Sequence, residues 1–219
     1  MESVASHIAR LPGVETREYR PGELLHPAER LRQLHICIRK GAVGLHVAVG
    51  RATDAILEVF GPGWLLSPPL WESKPTPETR HAAALLPTTT LEVGADAFGR
   101  QLAADPSLAV AVASWHAHQY ALVLDHLAMV ALRDPSRRVP ETLLLLLERL
   151  DGALGSAANA RLDVSQQLIA AFANLSRQTT NKQLRRLARA GFVGLERGVV
   201  YVREPGRLRE LAAGRVPAR

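Results

Sequence analysis

The stretch from residue 164 to residue 193 constrains the fold more than any other part of the chain. It holds two short helical patterns. Leu168, Ile169 and Phe172 recur at helical spacing, and Asn174-Leu175 interrupts them. Ser176 then stands where a side-chain oxygen would satisfy the orphan backbone N–H groups of a second helix. That second helix divides its faces: Leu184 and Leu187 form an apolar side, while Arg177, Gln178, Asn181, Lys182 and Arg185 project the other way, as a helix lying in a DNA major groove requires. Gly191 stops it, and two β-prone runs within 192–202 follow about a glycine turn. An amphipathic hairpin with a solvated basic face is the plainer alternative. Helix, turn, helix and wing in this order instead predict a winged helix-turn-helix that binds DNA.

Bulk properties agree with a polyanionic partner. The 219 residues carry a formal charge of +6, with an isoelectric point near 10.2, which favours phosphate contacts but does not by itself separate nucleic acid from an anionic membrane. Cys37 is the single cysteine, so a disulfide framework, a cysteine-rich zinc site and an iron–sulfur cluster are all excluded, and the lone thiol fits a reducing cytoplasm. No signal peptide is expected. The longest apolar-rich run, 108–132, is broken by Trp115-His116, His118-Gln119 and Asp125-His126, so no membrane span is expected either. An enzyme finds no support: there is no P-loop, dinucleotide glycine fingerprint, nucleophile elbow or His-Glu-x-x-His.

Before the helix-turn-helix, the pattern changes twice. From about Val14 to Val93 short β-prone runs (33–38, 43–49, 55–60 and 89–93) alternate with turns at Gly22, Gly41, Gly50, Gly61 and Gly63, which suggests a small antiparallel barrel or roll. Its proline-rich stretch 67–77 reads as a surface loop. After Asp96 the chain turns helical, and 106–133 can form one long helix with two apolar stripes. One runs Val110, Ala113, Ala117, Tyr120, Leu124, Leu127, Ala131; the other carries Leu108, Val112, Trp115, Leu122 and Met129. Two stripes need two partners: the roll for one, and a second copy of the chain for the other. Burial of the helix inside one large domain is the alternative. Asp134-Pro135 ends this helix, and the next begins near Pro140 and fades at Asp151-Gly152, before a small-residue loop to about Asn159. The expected fold is therefore α+β, with a roll over 1–105, a dimerisation helix over 106–133 and a winged helix-turn-helix over 134–219.

A β-roll, a long helix and a winged helix-turn-helix in that order resemble the cAMP receptor protein/FNR family of bacterial transcription regulators. Asp134 with Arg138-Val139 is similar to the family's hinge motif, and 164–193 aligns without a gap to its DNA-reading segment. Tyr19-Arg-Pro-Gly-Glu-Leu24 and Arg39-Lys-Gly-Ala-Val43 are similar to early turns of its cyclic-nucleotide-binding roll. The resemblance implies an N-terminal effector-sensing domain, a homodimer, a palindromic double-stranded operator with half-sites roughly 10 base pairs apart, and RNA polymerase as a further partner. It puts Arg177, Gln178 and Lys182 at the principal base-reading positions. Arginine suits guanine, and Gln178, where many members have glutamate, suits adenine. Ser176 and Thr179 then reach phosphates or the backbone at the helix start, and Arg185, Arg186 and Arg189 add phosphate attraction.

The effector cassette departs from the family. Its Gly-Glu-x-x-Leu segment is replaced by Gly61-Pro-Gly-Trp-Leu-Leu-Ser67, with no acidic residue, and either Arg80 or His81 falls at the phosphate-binding arginine. The purine-contacting hydroxyl pair becomes Val123-Leu124. A site stripped of its polar partners discriminates against cAMP. The effector-pocket candidates are Trp64, Leu66, Arg80, His81, Val123 and Leu124. Haem stays open as an effector, with His35, His46, His81, His116, His118 and His126 as axial candidates, although lone histidines are more often packing or surface residues. The rival function is a small-molecule-sensing module that acts through protein contacts, its helix-turn-helix degenerate.

Overall fold

The computed structural model describes residues 4–49, 53–68, 80–151 and 159–215. They fall into two compact units, 1–122 and 123–219. In the first, helix α1 (Val4–Ile8) precedes strand β1 (Glu15–Tyr19), helix α2 (Ala28–Leu31) and strands β2 (Leu34–Lys40), β3 (Val43–Val49), β4 (Thr53–Phe60), β5 (Leu65–Leu66), β6 (Arg80–Ala84) and β7 (Thr88–Gly94). These strands make two antiparallel sheets, ordered β1-β7-β2-β5 and β4-β3-β6. β6 was not among the runs read from the sequence, because Arg-His-Ala-Ala-Ala lacks β-branched or aromatic residues; it forms by pairing along β3, from Val43↔Ala84 to Val47↔Arg80. The proline-rich loop expected at 67–77 lies, from residue 69 on, outside the described residues, as do Gly50 and the loop 152–158.

Alternation along β2 explains the layering. Ile36 and Ile38 face the interior of the roll, joined there by Val43, Phe60, Trp64, Leu66 and Leu122. Cys37, between them, faces the other side and packs with Ile8, Phe98, Leu108 and Val112, under α1, helix α3 (Ala95–Ala104) and helix α4 (Pro106–Ala131). Each face of one sheet thus has its own apolar core. The turn from β2 to β3 depends on Gly41: its φ is +89°, and a Cβ there would overlap the Pro87 carbonyl and stand 2.6 Å from Thr88 Oγ1.

Helix α4 contributes Pro106–Leu122 to the first unit and its remaining turns to the second. Its two stripes separate as their spacing predicts. Leu108, Val112, Leu122 and Met129 are buried, whereas Val110, Tyr120, Leu124 and Leu127 are exposed. Asp105 caps its start, accepting from the Ser107 and Leu108 N–H groups at 2.9 and 3.2 Å.

Helix α5 spans Pro135–Asp151, so it begins five residues earlier than the expected start near Pro140. The reason is a second Asp-Pro-Ser start: Asp134 Oδ1 accepts from Ser136 N–H at 2.8 Å and Oδ2 from Ser136 Oγ at 2.7 Å, with Pro135 in the first turn, where its missing N–H costs nothing. The Ser136 hydroxyl and N–H together hold the Asp134 carboxyl below its ordinary range. Leu143 to Leu147 are all buried, so α5 is covered on every side over that stretch. Strand β8 (Ala160–Leu162), helices α6 (Gln166–Phe172) and α7 (Arg177–Arg189), strands β9 (Val193–Glu196) and β10 (Val199–Val202), and helix α8 (Pro205–Ala212) complete the second unit. Its sheet is ordered β8-β10-β9.

Candidate nucleic-acid interface

The two helices of the motif are each set by a serine. Ser165 Oγ accepts from Leu168 N–H and starts α6; Ser176 Oγ accepts from Thr179 N–H, both at 3.1 Å, and starts α7. Between them Asn174 takes a φ of +50°, which turns the chain. Gly191, at φ +79°, then releases it from α7 into the wing. Thr180, Leu184 and Leu187 are buried against the unit. The opposite face of α7 forms an open depression of about 680 Å³ lined by Arg177, Gln178, Asn181, Lys182, Arg185 and Arg189. Four cationic side chains and two amides on a single helix face can meet phosphates and the edges of bases.

Of the predicted site residues, Ser176 and Thr179 are tied to each other at the helix start, Oγ to Oγ1 at 2.8 Å. Asn181 also has a partner, which the sequence did not reveal: its Nδ2 donates to Gln166 Oε1 at 2.7 Å. Arg138, placed by resemblance in the hinge motif, has partners that the sequence did not reveal either. Its guanidinium donates to the Leu132 carbonyl through Nε at 2.6 Å and through Nη2, and its Nη1 reaches the Ala173 and Asn174 carbonyls, each at 3.4 Å. His126 Nε2 bonds the Phe172 carbonyl at 3.0 Å. Carbonyls left without partners at the end of α6 are thereby satisfied from the end of α4 and the first turn of α5.

The effector-pocket candidates have different surroundings. Trp64 and Leu66 are buried in the roll core, where Trp64 packs on Phe60 at 5.0 Å between ring centres. Arg80 and His81 are half-buried on β6, and His81 lies parallel to His46 at 5.0 Å. Val123 is half-buried and Leu124 exposed on α4. Among the other histidines, His35 Nδ1 lies 3.1 Å from Ser67 Oγ and its ring 4.3 Å from Phe98. Burial, and secondarily the charge of His116, push its pKa down to about 4. Burial alone pushes the Cys37 thiol up to about 12.

Residues 137–211 match the Crp-like helix-turn-helix domain family. A CRP-like cAMP-activated global transcriptional regulator of Mycobacterium tuberculosis is 27% identical over 177 residues, 80% of this chain and 78% of that one. Among solved structures, FixK2 from Bradyrhizobium japonicum superposes with a TM-score of 0.71 at 20% identity, covering 90% of this chain and 96% of its own. A cyclic nucleotide-binding domain containing protein from Listeria monocytogenes EGD-e superposes with a TM-score of 0.75 at 16% identity, covering 91% and 95%. The chain thus carries a Crp-like helix-turn-helix domain and is similar, over most of its length, to Crp/Fnr-type transcription regulators. Regulators of this family bind DNA and are typically dimeric, and the family is not one of enzymes.

The positive charge is concentrated in the second unit. Residues 123–219 hold sixteen Lys and Arg against nine Asp and Glu, while residues 1–122 hold eleven against twelve. The excess therefore accompanies the helix-turn-helix. Among the described residues no helix is long and apolar enough to cross a membrane.

Proposed function

We propose that this regulator is a cytoplasmic homodimer that reads a palindromic operator through α7, and that its effector is not cAMP, or that it is active without one. The exposed, cation-lined face of α7 carries this reading, because six side chains from one capped helix line a single depression. Arg177 takes guanine, Gln178 adenine, and Lys182 guanine or a phosphate; Asn181 faces the bases, while Ser176, Thr179 and Arg185 hold the backbone. The roll over 1–105 senses, the helix over 106–133 dimerises, and 134–219 binds DNA, with RNA polymerase as the downstream partner. Twofold pairing sets the recognition helices about one DNA turn apart.

The Mycobacterium tuberculosis relative is cAMP-activated. Here Trp64 and Leu66 are core residues, and Val123-Leu124 offers no hydroxyl. A polar purine nucleotide would lose hydrogen bonds there without replacement.

Selection of DNA from a random pool by the purified protein tests the reading. The expected result is a palindrome with a guanine that disappears in Arg177→Ala, together with a salt slope shallower by about one per phosphate contact removed in Arg185→Ala. Binding that is sequence-blind with and without cAMP, or regulation that survives both Arg177→Ala and Lys182→Ala, would favour a sensing module that acts through protein contacts.

A further inference from the structure

One amide on the reading face of α7 has its orientation set from outside the helix. Asn181 Nδ2 donates to Oε1 of Gln166, the first residue of α6, at 2.7 Å. An asparagine amide accepts at its oxygen and donates at its nitrogen, and a half-turn about its last side-chain bond exchanges the two ends. Unheld, such a side chain serves a base donor or a base acceptor equally well. The bond to Gln166 keeps the nitrogen end against α6 and leaves Oδ1 as the end for the groove. Reversing both amides together would conserve their mutual bond, but it would turn an NH2 group toward Arg177, Lys182 and Arg185, which line the same depression. Those cations favour the oxygen outward.

We infer that Asn181 selects a base by its exocyclic amino group, cytosine N4 or adenine N6, and that Gln166 is the positioning residue that fixes this choice. The inference rests on α7 being the DNA-reading helix. In the major groove guanine offers N7 and O6 and thymine offers O4, all acceptors, which would meet Oδ1 oxygen to oxygen or nitrogen lone pair to oxygen. Cytosine N4 and adenine N6 donate to it. Arg177 and Lys182 have the opposite demand, since they hold only donors and seek acceptors. The half-site is therefore read with both signs of hydrogen bond on one helix face, and the acceptor sign at Asn181 comes from a residue of the neighbouring helix.

The test is operator selection with the full-length protein and with Gln166→Ala, Asn181→Ala and Asn181→Asp in parallel. The wild type should enrich a column restricted to adenine or cytosine in addition to its guanine columns and the adenine column of Gln178. Gln166→Ala should keep the guanine columns while that preference falls roughly tenfold, because the amide is free to turn over. Asn181→Ala should lose the preference, and Asn181→Asp, whose carboxylate only accepts, should retain it. A complementary measurement uses the selected operator with the 6-amino group of that adenine, or the 4-amino group of that cytosine, removed. Wild-type binding should weaken roughly tenfold and Asn181→Ala binding should not change. Persistence of every amino-base column unchanged in Gln166→Ala or Asn181→Ala, rather than of the Gln178 column alone, overturns the assignment while the guanine columns stand. Loss of every column in the wild type would instead overturn the reading of α7 itself.

Discussion

Truncating Leu127 should weaken dimerisation on the order of 100-fold without harming the fold. The side chain lies on the outward stripe of α4 and is 61% exposed, beside Tyr120 at 66% and Leu124 at 46%. Leu127→Ala removes three apolar carbons, each contributing about 0.8 kcal/mol when buried. Scaled by the exposed share that a partner could cover, this is roughly 1.5 kcal/mol per copy. Twofold symmetry makes the change twice, so the dimer loses about 3 kcal/mol, close to a 100-fold rise in dissociation constant. Sedimentation equilibrium over a concentration series reads that shift directly. Leu122→Ala supplies the contrast: Leu122 is buried in the roll core, so its truncation should cost about 2–5 kcal/mol in urea stability and leave association largely intact. A dissociation constant for Leu127→Ala within threefold of the wild type would refute the assignment of this stripe to the dimer contact. So would a larger association defect in Leu122→Ala than in Leu127→Ala.

Ser176→Ala removes the cap of α7 and should cost about 1 kcal/mol in chemical denaturation of the second unit, with a parallel loss of operator affinity. Four residues on, Thr180 Oγ1 is buried without a hydrogen-bond partner among the described residues, so Thr180→Val should stabilise by about 1 kcal/mol; a destabilised variant would mean that the hydroxyl is bonded. Glu92 accepts from Tyr19 OH at 2.7 Å and Thr90 Oγ1 at 2.9 Å and pairs with His26 Nε2 at 2.7 Å, so Glu92→Ala strands several buried polar groups and should cost about 3 kcal/mol by urea titration. His35 has a folded pKa of about 4 against an ordinary 6.5, so the unfolded chain binds the extra proton between those values and stability falls as pH drops through that window. His35→Gln keeps a partner for Ser67 and should flatten that acid-side loss; an identical pH profile for the two proteins would argue that His35 is not buried in the neutral form.

The parts of the fold that could be read in the sequence are those in which one residue type does one local job. Ser176 and Gly191 mark the ends of α7 because a hydroxyl cap and a left-handed backbone each have a narrow chemical solution. The two stripes of α4 were legible because burial repeats at helical spacing over seven turns. β6 was not, since alanines carry little strand preference and its geometry comes from β3 beside it. The start of α5 had a usable signal that was read only as an ending: Asp105-Pro-Ser opens α4 and Asp134-Pro-Ser opens α5 in the same way. A proline after aspartate closes one helix and starts the next when the connection is this short.

The interface divides along the same line. Which side chains of α7 point outward follows from periodicity within a single helix, so Arg177, Gln178, Lys182 and Arg185 could be named from sequence. What each can offer DNA does not follow, because that depends on bonds made to other elements. Gln166 is fifteen residues from Asn181 and sits on a different helix, and no spacing rule connects two amides across a turn. Arg138 is similar: the sequence offered it only as part of a resemblance to a hinge motif with Asp134 and Val139, and the carbonyls it reaches at Leu132, Ala173 and Asn174 follow from no spacing. Through that guanidinium and through His126, the end of α6 is bonded to residues on both sides of the α4–α5 junction. A displacement of that junction must therefore either carry the turn before Ser176 with it or break these bonds.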